Sequence, residues 1–227
     1  MTQLGRKLLA EFIGTALLLA TVVGSGIMGE TLSQGNSGIA LLANAAATAG
    51  VLYVLISIFG PISGAHFNLA VTATMRLRGE LGSVEAVAFV VVQVAAAIAG
   101  VALAHAMFGL PLIQPGTHAR TGWPQWGSEA VATFGLLLTI MLGGRQRPAA
   151  VPALVASYIF AAYWFTASTS FANPAVTLAR ALTQTFAGIR PGDVAGFVCA
   201  QAIGVAAAVV AAKALVGRSQ ASPSGCV

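Results

Sequence analysis

Long apolar runs, broken by short clusters of glycine, proline and charge, fill the chain from about residue 8 to residue 216. A helix that crosses a hydrocarbon core needs about 20 predominantly apolar residues. Six stretches meet that length, near residues 8–28, 38–59, 84–107, 126–143, 150–168 and 194–216. Turn chemistry punctuates them at 29–38, Gly60-Pro61, 79–83, 109–124, 143–148 and 188–193. Two further apolar segments follow Asn68 and Asn173, and at about 10 residues each they are too short to cross.

Those two segments open on matching pentads, Asn68-Leu69-Ala70-Val71-Thr72 and Asn173-Pro174-Ala175-Val176-Thr177. Each reads as a helix start, with Asn as N-cap and, in the second copy, proline at the first helical position. A helix that begins at membrane depth leaves backbone N–H groups without partners, so it is tolerated only beside protein or a wet cavity. Two such starts in corresponding positions point to a transport pathway.

An internal repeat surrounds the pentads. Glu11 in the first span corresponds to Glu129 in the fourth, and Gln93 in the third span to Gln201 in the sixth; the offsets are 118 and 108 residues, against 105 for the two Asn. With three spans per half, the second copy is inverted across the membrane, and the two short segments enter from opposite faces to meet near the midplane. The fold class is therefore an all-α integral membrane protein of six transmembrane helices plus two re-entrant half-helices. It forms one domain over residues 1–227, with a first repeat at 1–107, a connecting loop at 108–125, a second repeat at 126–216 and a disordered tail at 217–227. Small residues recur every four positions in the third span (Ala96, Gly100, Ala104) and the sixth (Gly196 to Ala212), which suits close helix approach in lipid.

Composition agrees. Hydrophobic residues make up 57% of the chain and charged residues 7%, far from the soluble norm of about 25% charged. The formal charge of +5 follows topology rather than a nucleic-acid surface: eight of the eleven basic residues fall on the side of both termini, leaving Arg120, Arg180 and Arg190 opposite. By the positive-inside rule both termini are cytoplasmic. The Ala-rich, Arg-over-Lys usage suggests a bacterium and hence its inner membrane. Arg6 and Lys7 before an apolar run resemble a signal peptide, but Glu11 and the length of the run favour a retained helix. Two cysteines make no disulfide framework; Cys199 is expected as buried filler and Cys226 lies in the tail.

The six spans, the inverted halves and the paired motifs 63–72 and 173–175 resemble the aquaporin/aquaglyceroporin (major intrinsic protein) family, and within it the bacterial aquaglyceroporins associated with arsenic resistance. The likeness covers residues 8–216. It implies a passive channel, a homotetramer with one pore per subunit, and no cofactor or metal. One departure is that the first family Asn-Pro-Ala reads Asn68-Leu69-Ala70; proline there aids helix initiation without being required.

The resemblance assigns roles to particular residues. Asn68 and Asn173 aim side-chain N–H donors into the pore, two per residue if the carbonyl caps the helix, and the half-helix N-termini add positive potential that opposes cations and protons. Backbone carbonyls of Gly64, Ala65, His66, Phe67, Ser168 and Thr169 form a polar ladder, with the His66 ring packed against the other half-helix. Glu11 and Glu129 accept bonds from the re-entrant backbone, with Gln93 and Gln201 as buried partners. The family usually carries an Arg directly after the second motif, where Val176 stands here. Family spacings give Thr48, Ala161 and Ser170 as the other filter positions. That set has neither charge nor aromatic ring, so a wide filter is expected, with Arg180 reaching the external surface or swinging toward the mouth.

The leading reading is a passive channel for small neutral solutes: water, glycerol-sized polyols, arsenite and related metalloid hydroxides or methylated arsenicals. The alternatives are a water-selective aquaporin, a proton-coupled transporter titrating Glu11 and Glu129, or a closed structural protein. An enzyme is not expected, because no nucleophile–base pair or metal cluster is visible and His66, His105 and His118 lie in unlike segments. The partners expected are the bilayer, small neutral solutes and water, and no nucleic acid.

Overall fold

The computed structural model describes residues 1–216; the expected tail at 217–227, with Cys226, lies outside the described residues. The described residues are helical with connecting turns: α1 Gln3–Leu32, α2 Ser37–Ser63, α3 Leu69–Leu77, α4 Ser83–Met107, α5 Trp123–Gln146, α6 Val151–Phe165, α7 Pro174–Arg180 and α8 Val194–Val216. Six of these, with short 3-10 turns extending α6 and α8 at their starts, are long and apolar enough to cross a membrane. The other two, α3 and α7, have nine and seven residues and are the half-length segments expected after the pentads.

The ends of the helices follow their local chemistry. Thr2 caps α1 by accepting from the Gly5 amide, and Asn36 caps α2 by accepting from that of Ile39. The expected break at Gly60-Pro61 is not one, because α2 runs through Pro61 to Ser63. Proline in the last turn removes a single N–H, and the helix stops where Gly64 adopts the left-handed conformation (φ 90°) and donates to the Gly60 carbonyl at 3.0 Å. The fifth expected span, by contrast, ends early, at Phe165 rather than 168, where Thr166 turns extended.

The two halves pack alike. In the first, α1 lies against α4 and α2; in the second, α5 lies against α8 and α6. The tightest crossings rest on glycine. A Cβ on Gly100 of α4 would stand 2.3 Å from the Ala16 carbonyl oxygen of α1, and one on Gly204 of α8 would stand 2.6 Å from that of Ala130 on α5. The small-residue spacing in the third and sixth spans is therefore a contact surface, with Ala96, Ala104, Ala208 and Ala212 buried along it. Large apolar side chains such as Ile39, Val54, Val87 and Val210 face outward, as a lipid-facing surface requires. Cys199 faces outward too, contrary to its expected burial.

Candidate pore

Both half-helices start at an extended Asn. Asn68 (φ −156°, ψ 123°) accepts the Ala70 amide at 2.8 Å, and Asn173 (φ −157°, ψ 113°) accepts that of Ala175 at 3.0 Å. Their amide nitrogens then reach across the middle of the molecule. Nδ2 of Asn68 donates to the Ala172 carbonyl, and Nδ2 of Asn173 to the Phe67 carbonyl, both at 2.8 Å. The sequence expectation of two free donors per Asn is thus corrected: an amide nitrogen carries two protons, and one is used to tie the halves together. One N–H on each remains, and both residues line the same cavity.

Behind the Asn pair each half carries the same clasp. Glu11 accepts from the His66 amide at 2.9 Å, the Phe67 amide at 2.8 Å and the Ser63 hydroxyl at 2.6 Å. Glu129 accepts from the Phe171 and Ala172 amides at 2.8 and 2.9 Å. Nε2 of Gln93 bridges Glu11 and Thr72, and Nε2 of Gln201 bridges Glu129 and Thr177. All six of these side chains are buried, and neither Glu lines the cavity. A carboxylate so enclosed is held by its donors, since removing one partner leaves an uncompensated buried charge. Thr72 and Thr177 were not singled out in the sequence, although the shared fifth position of both pentads was the signal.

The clasps hold a strained backbone. Ala65 and Phe67 in one half, and Ser170 and Ala172 in the other, have φ of 46–52°, three and one residues before the Asn. Thr169 has φ of 61°. Each such residue costs about 1–2 kcal/mol relative to ordinary backbone. The turns present consecutive amides to one carboxylate.

The polar ladder is only partly on the cavity wall. Residues 64–67 line it, as do Ser170 and Phe171, but Ser168 and Thr169 do not. The Ser168 carbonyl accepts from Nη1 of Arg120 at 3.2 Å, and those of Phe67 and Ala172 accept from the Asn pair. The His66 ring packs within its own half rather than against α7. Nδ1 is 3.0 Å from Oγ1 of Thr72, and the ring meets Phe89 edge-on at 5.2 Å. Phe171 takes the equivalent place in the second half, edge-on to Phe197 at 5.0 Å.

The cavity holds about 380 Å³ and runs from Lys7 and Glu80 at one end, past the Asn pair, to Tyr163 and Arg180 at the other. Its lining is mixed, with the apolar side chains of Leu18, Val22, Leu136 and Ile159 and the backbone of the re-entrant segments. Of the four expected filter positions, Thr48, Ser170 and Val176 line it. Ala161 does not; it is exposed on the outer face of α6. Tyr163, two residues on, points inward instead, with its hydroxyl 3.3 Å from Oγ1 of Thr48. Arg180 is also buried rather than external. Only 2% exposed, it donates from Nε to the Ala187 carbonyl and lays its guanidinium 3.4 Å from the centroid of the Phe171 ring. The end of the cavity therefore has both an aromatic ring and a cation.

Arg120 braces this end. It donates to the Gly188 and Ser168 carbonyls from its side chain and to Asp193 from its backbone, and it lies 5.1 Å from the Phe171 centroid. His105 spans the Leu112 carbonyl and the Thr183 hydroxyl at 2.9 and 2.7 Å. In the loop between α4 and α5, burial holds the pKa of His118 below the usual histidine value, and the charges of Arg120 and Arg180 push the same way.

Comparison with known proteins agrees with this architecture. The family model described as major intrinsic protein matches residues 1–159. Aquaglyceroporin AqpS of Rhizobium meliloti (strain 1021) is 55% identical over 207 residues, covering 91% of this chain and 88% of that protein. Probable aquaporin PIP2-8 of Arabidopsis thaliana is 35% identical over 141 residues, covering 60% of this chain and 51% of the relative. Glycerol uptake facilitator protein-like 6 of Lactiplantibacillus plantarum is 32% identical over 147 residues, 60% of this chain and 62% of the relative. The chain belongs to the major intrinsic protein family, whose members are membrane channels and not enzymes.

Proposed function

We propose that this major intrinsic protein passes small neutral polar solutes by facilitated diffusion: water, glycerol-sized polyols, and trihydroxy metalloids such as undissociated arsenite or methylated arsenicals. The observation that carries the reading is a cavity with Asn68 and Asn173 both in its wall, each with one N–H left for a solute oxygen. A hydroxyl passing that point turns its oxygen toward the pair while its carbon or metalloid face slides along the apolar wall. The positive ends of α3 and α7 converge there and oppose cations. The relative named as an aquaglyceroporin, similar over most of the chain, supports polyol-sized solutes over water alone.

The filter in this reading comprises Thr48, Tyr163, Ser170 and Val176, with Tyr163 replacing Ala161 of the sequence assignment. It is narrower and more polar than an uncharged, ring-free set. Four copies assemble with one pore each, and both termini face the cytoplasm of a bacterial inner membrane. Glu11 and Glu129 act as scaffold, since both accept from the re-entrant backbone amides and stand off the cavity.

Stopped-flow light scattering on proteoliposomes tests this, comparing water, glycerol and neutral arsenite. Fast, non-saturating entry of all three is expected. Uptake that saturates and follows a pH gradient would establish the proton-coupled alternative.

A further inference from the structure

Arg180 has the features of a group positioned for something that passes through. Its side chain is enclosed and makes no ion pair with the described residues. A buried guanidinium stays protonated, so its charge needs compensation. The Ala187 carbonyl and the Phe171 ring supply some of it. The two Nη groups have no acceptor among the described residues, yet the residue lines the cavity. Ser170, next in sequence to the Phe171 ring under the guanidinium, lines the same cavity, and its buried hydroxyl has no hydrogen-bond partner among the described residues. Val176, one helical turn before Arg180 on α7, lines the cavity with an apolar surface.

We infer that Arg180 and Ser170 form the hydroxyl-binding flank of the filter and Val176 its apolar flank, making Arg180 the specificity-determining residue of this channel. The inference rests on the channel reading and names the solute class of that site: neutral molecules with hydroxyls on one side and a hydrocarbon face on the other. The free Nη groups donate to solute oxygens, Ser170 donates or accepts, and the substituent faces Val176. The same fixed charge raises the energy of any cation at this end of the cavity, where low dielectric and narrow walls leave it little screened.

The test uses full-length protein in liposomes, with glycerol, 1,2-propanediol and a sodium gradient as probes. Replacing one terminal hydroxymethyl by methyl keeps the carbon skeleton and removes one bond. Arg180→Met is expected to lower the glycerol-to-propanediol permeability ratio roughly tenfold, the order of one lost charge-assisted bond, and to open a sodium leak. Arg180→Lys retains the charge without the fork, so it blocks sodium but lowers the ratio. Ser170→Ala removes a hydroxyl that no protein group uses, so it leaves thermal stability unchanged and lowers the ratio in the same direction; it decides the matter if Arg180→Met fails to fold. Unaltered ratios and no sodium leak, in variants that fold and beside a conducting parent, would overturn the assignment. A parent that conducts neither polyol would overturn the polyol-channel reading on which the inference rests.

Discussion

Asn68 donates its side-chain amide to the carbonyl of Ala172 at 2.8 Å, so the first half-helix is anchored to the last peptide before the second. The reciprocal bond from Asn173 to Phe67 makes the pair a cross-brace as well as part of the cavity wall. Asn173→Asp keeps the helix cap but sets a carboxylate oxygen against the Phe67 carbonyl. Water permeability is expected to fall and monovalent cations to leak, read as osmotic and membrane-potential signals in liposomes. Unchanged values for both would exclude Asn173 from the central barrier.

Glu11→Gln replaces an acceptor of four short bonds, from Ser63, His66, Phe67 and Gln93, with a group that also presents N–H donors to them. A buried donor left without its acceptor costs about 1–3 kcal/mol, so the variant should unfold at clearly lower temperature in detergent. Whatever protein folds should conduct without a pH-gradient dependence. A stable variant that has lost gradient-driven uptake would mark Glu11 as a titrating group instead.

Val176→Arg adds a second guanidinium one turn from Arg180. Glycerol permeability should fall at least tenfold while water permeability stays within about twofold, since a fixed polar fork obstructs polyols more than water. Equal glycerol flux in variant and parent would place the constriction elsewhere.

Acid should loosen the loop that carries His118. Its folded pKa lies below that of the unfolded chain, because of burial and then Arg120 and Arg180, with Glu30 opposing. The unfolded state therefore binds more protons, and the contribution present above about pH 6.5 diminishes as pH falls toward the folded pKa. Hydrogen exchange across residues 115–122 should quicken between pH 7 and 5 in the parent and less so in His118→Asn.

The sequence made the frame legible because polar residues are conspicuous in an apolar chain. Glu11, Glu129, Gln93 and Gln201 stood out as costly, and their buried contacts with the re-entrant segments follow from that cost. The filter was less legible. Counting back from Asn173 placed Ala161 on the wall, but two residues on a helix are a turn of about 200°, so the inward residue is Tyr163. Arg180 depended on an aromatic ring nine positions earlier and a carbonyl seven positions later, a meeting that no local spacing encodes. Pro61 misled in the other direction, because proline's helix-breaking weight is small in a final turn.

The cross-brace also dictates an order of manufacture. Its bonds join residues 104 and 106 positions apart, whereas each carboxylate clasp closes within its own half. A ribosome feeding the chain into the bilayer delivers Glu11 first and Gln93 last of the first clasp, so that unit settles as α4 arrives. The Asn68 amide and the Phe67 carbonyl then wait at membrane depth through the whole emergence of α5 and α6. A chain cut short before Ala172 would leave those two groups without the partners that the other half supplies.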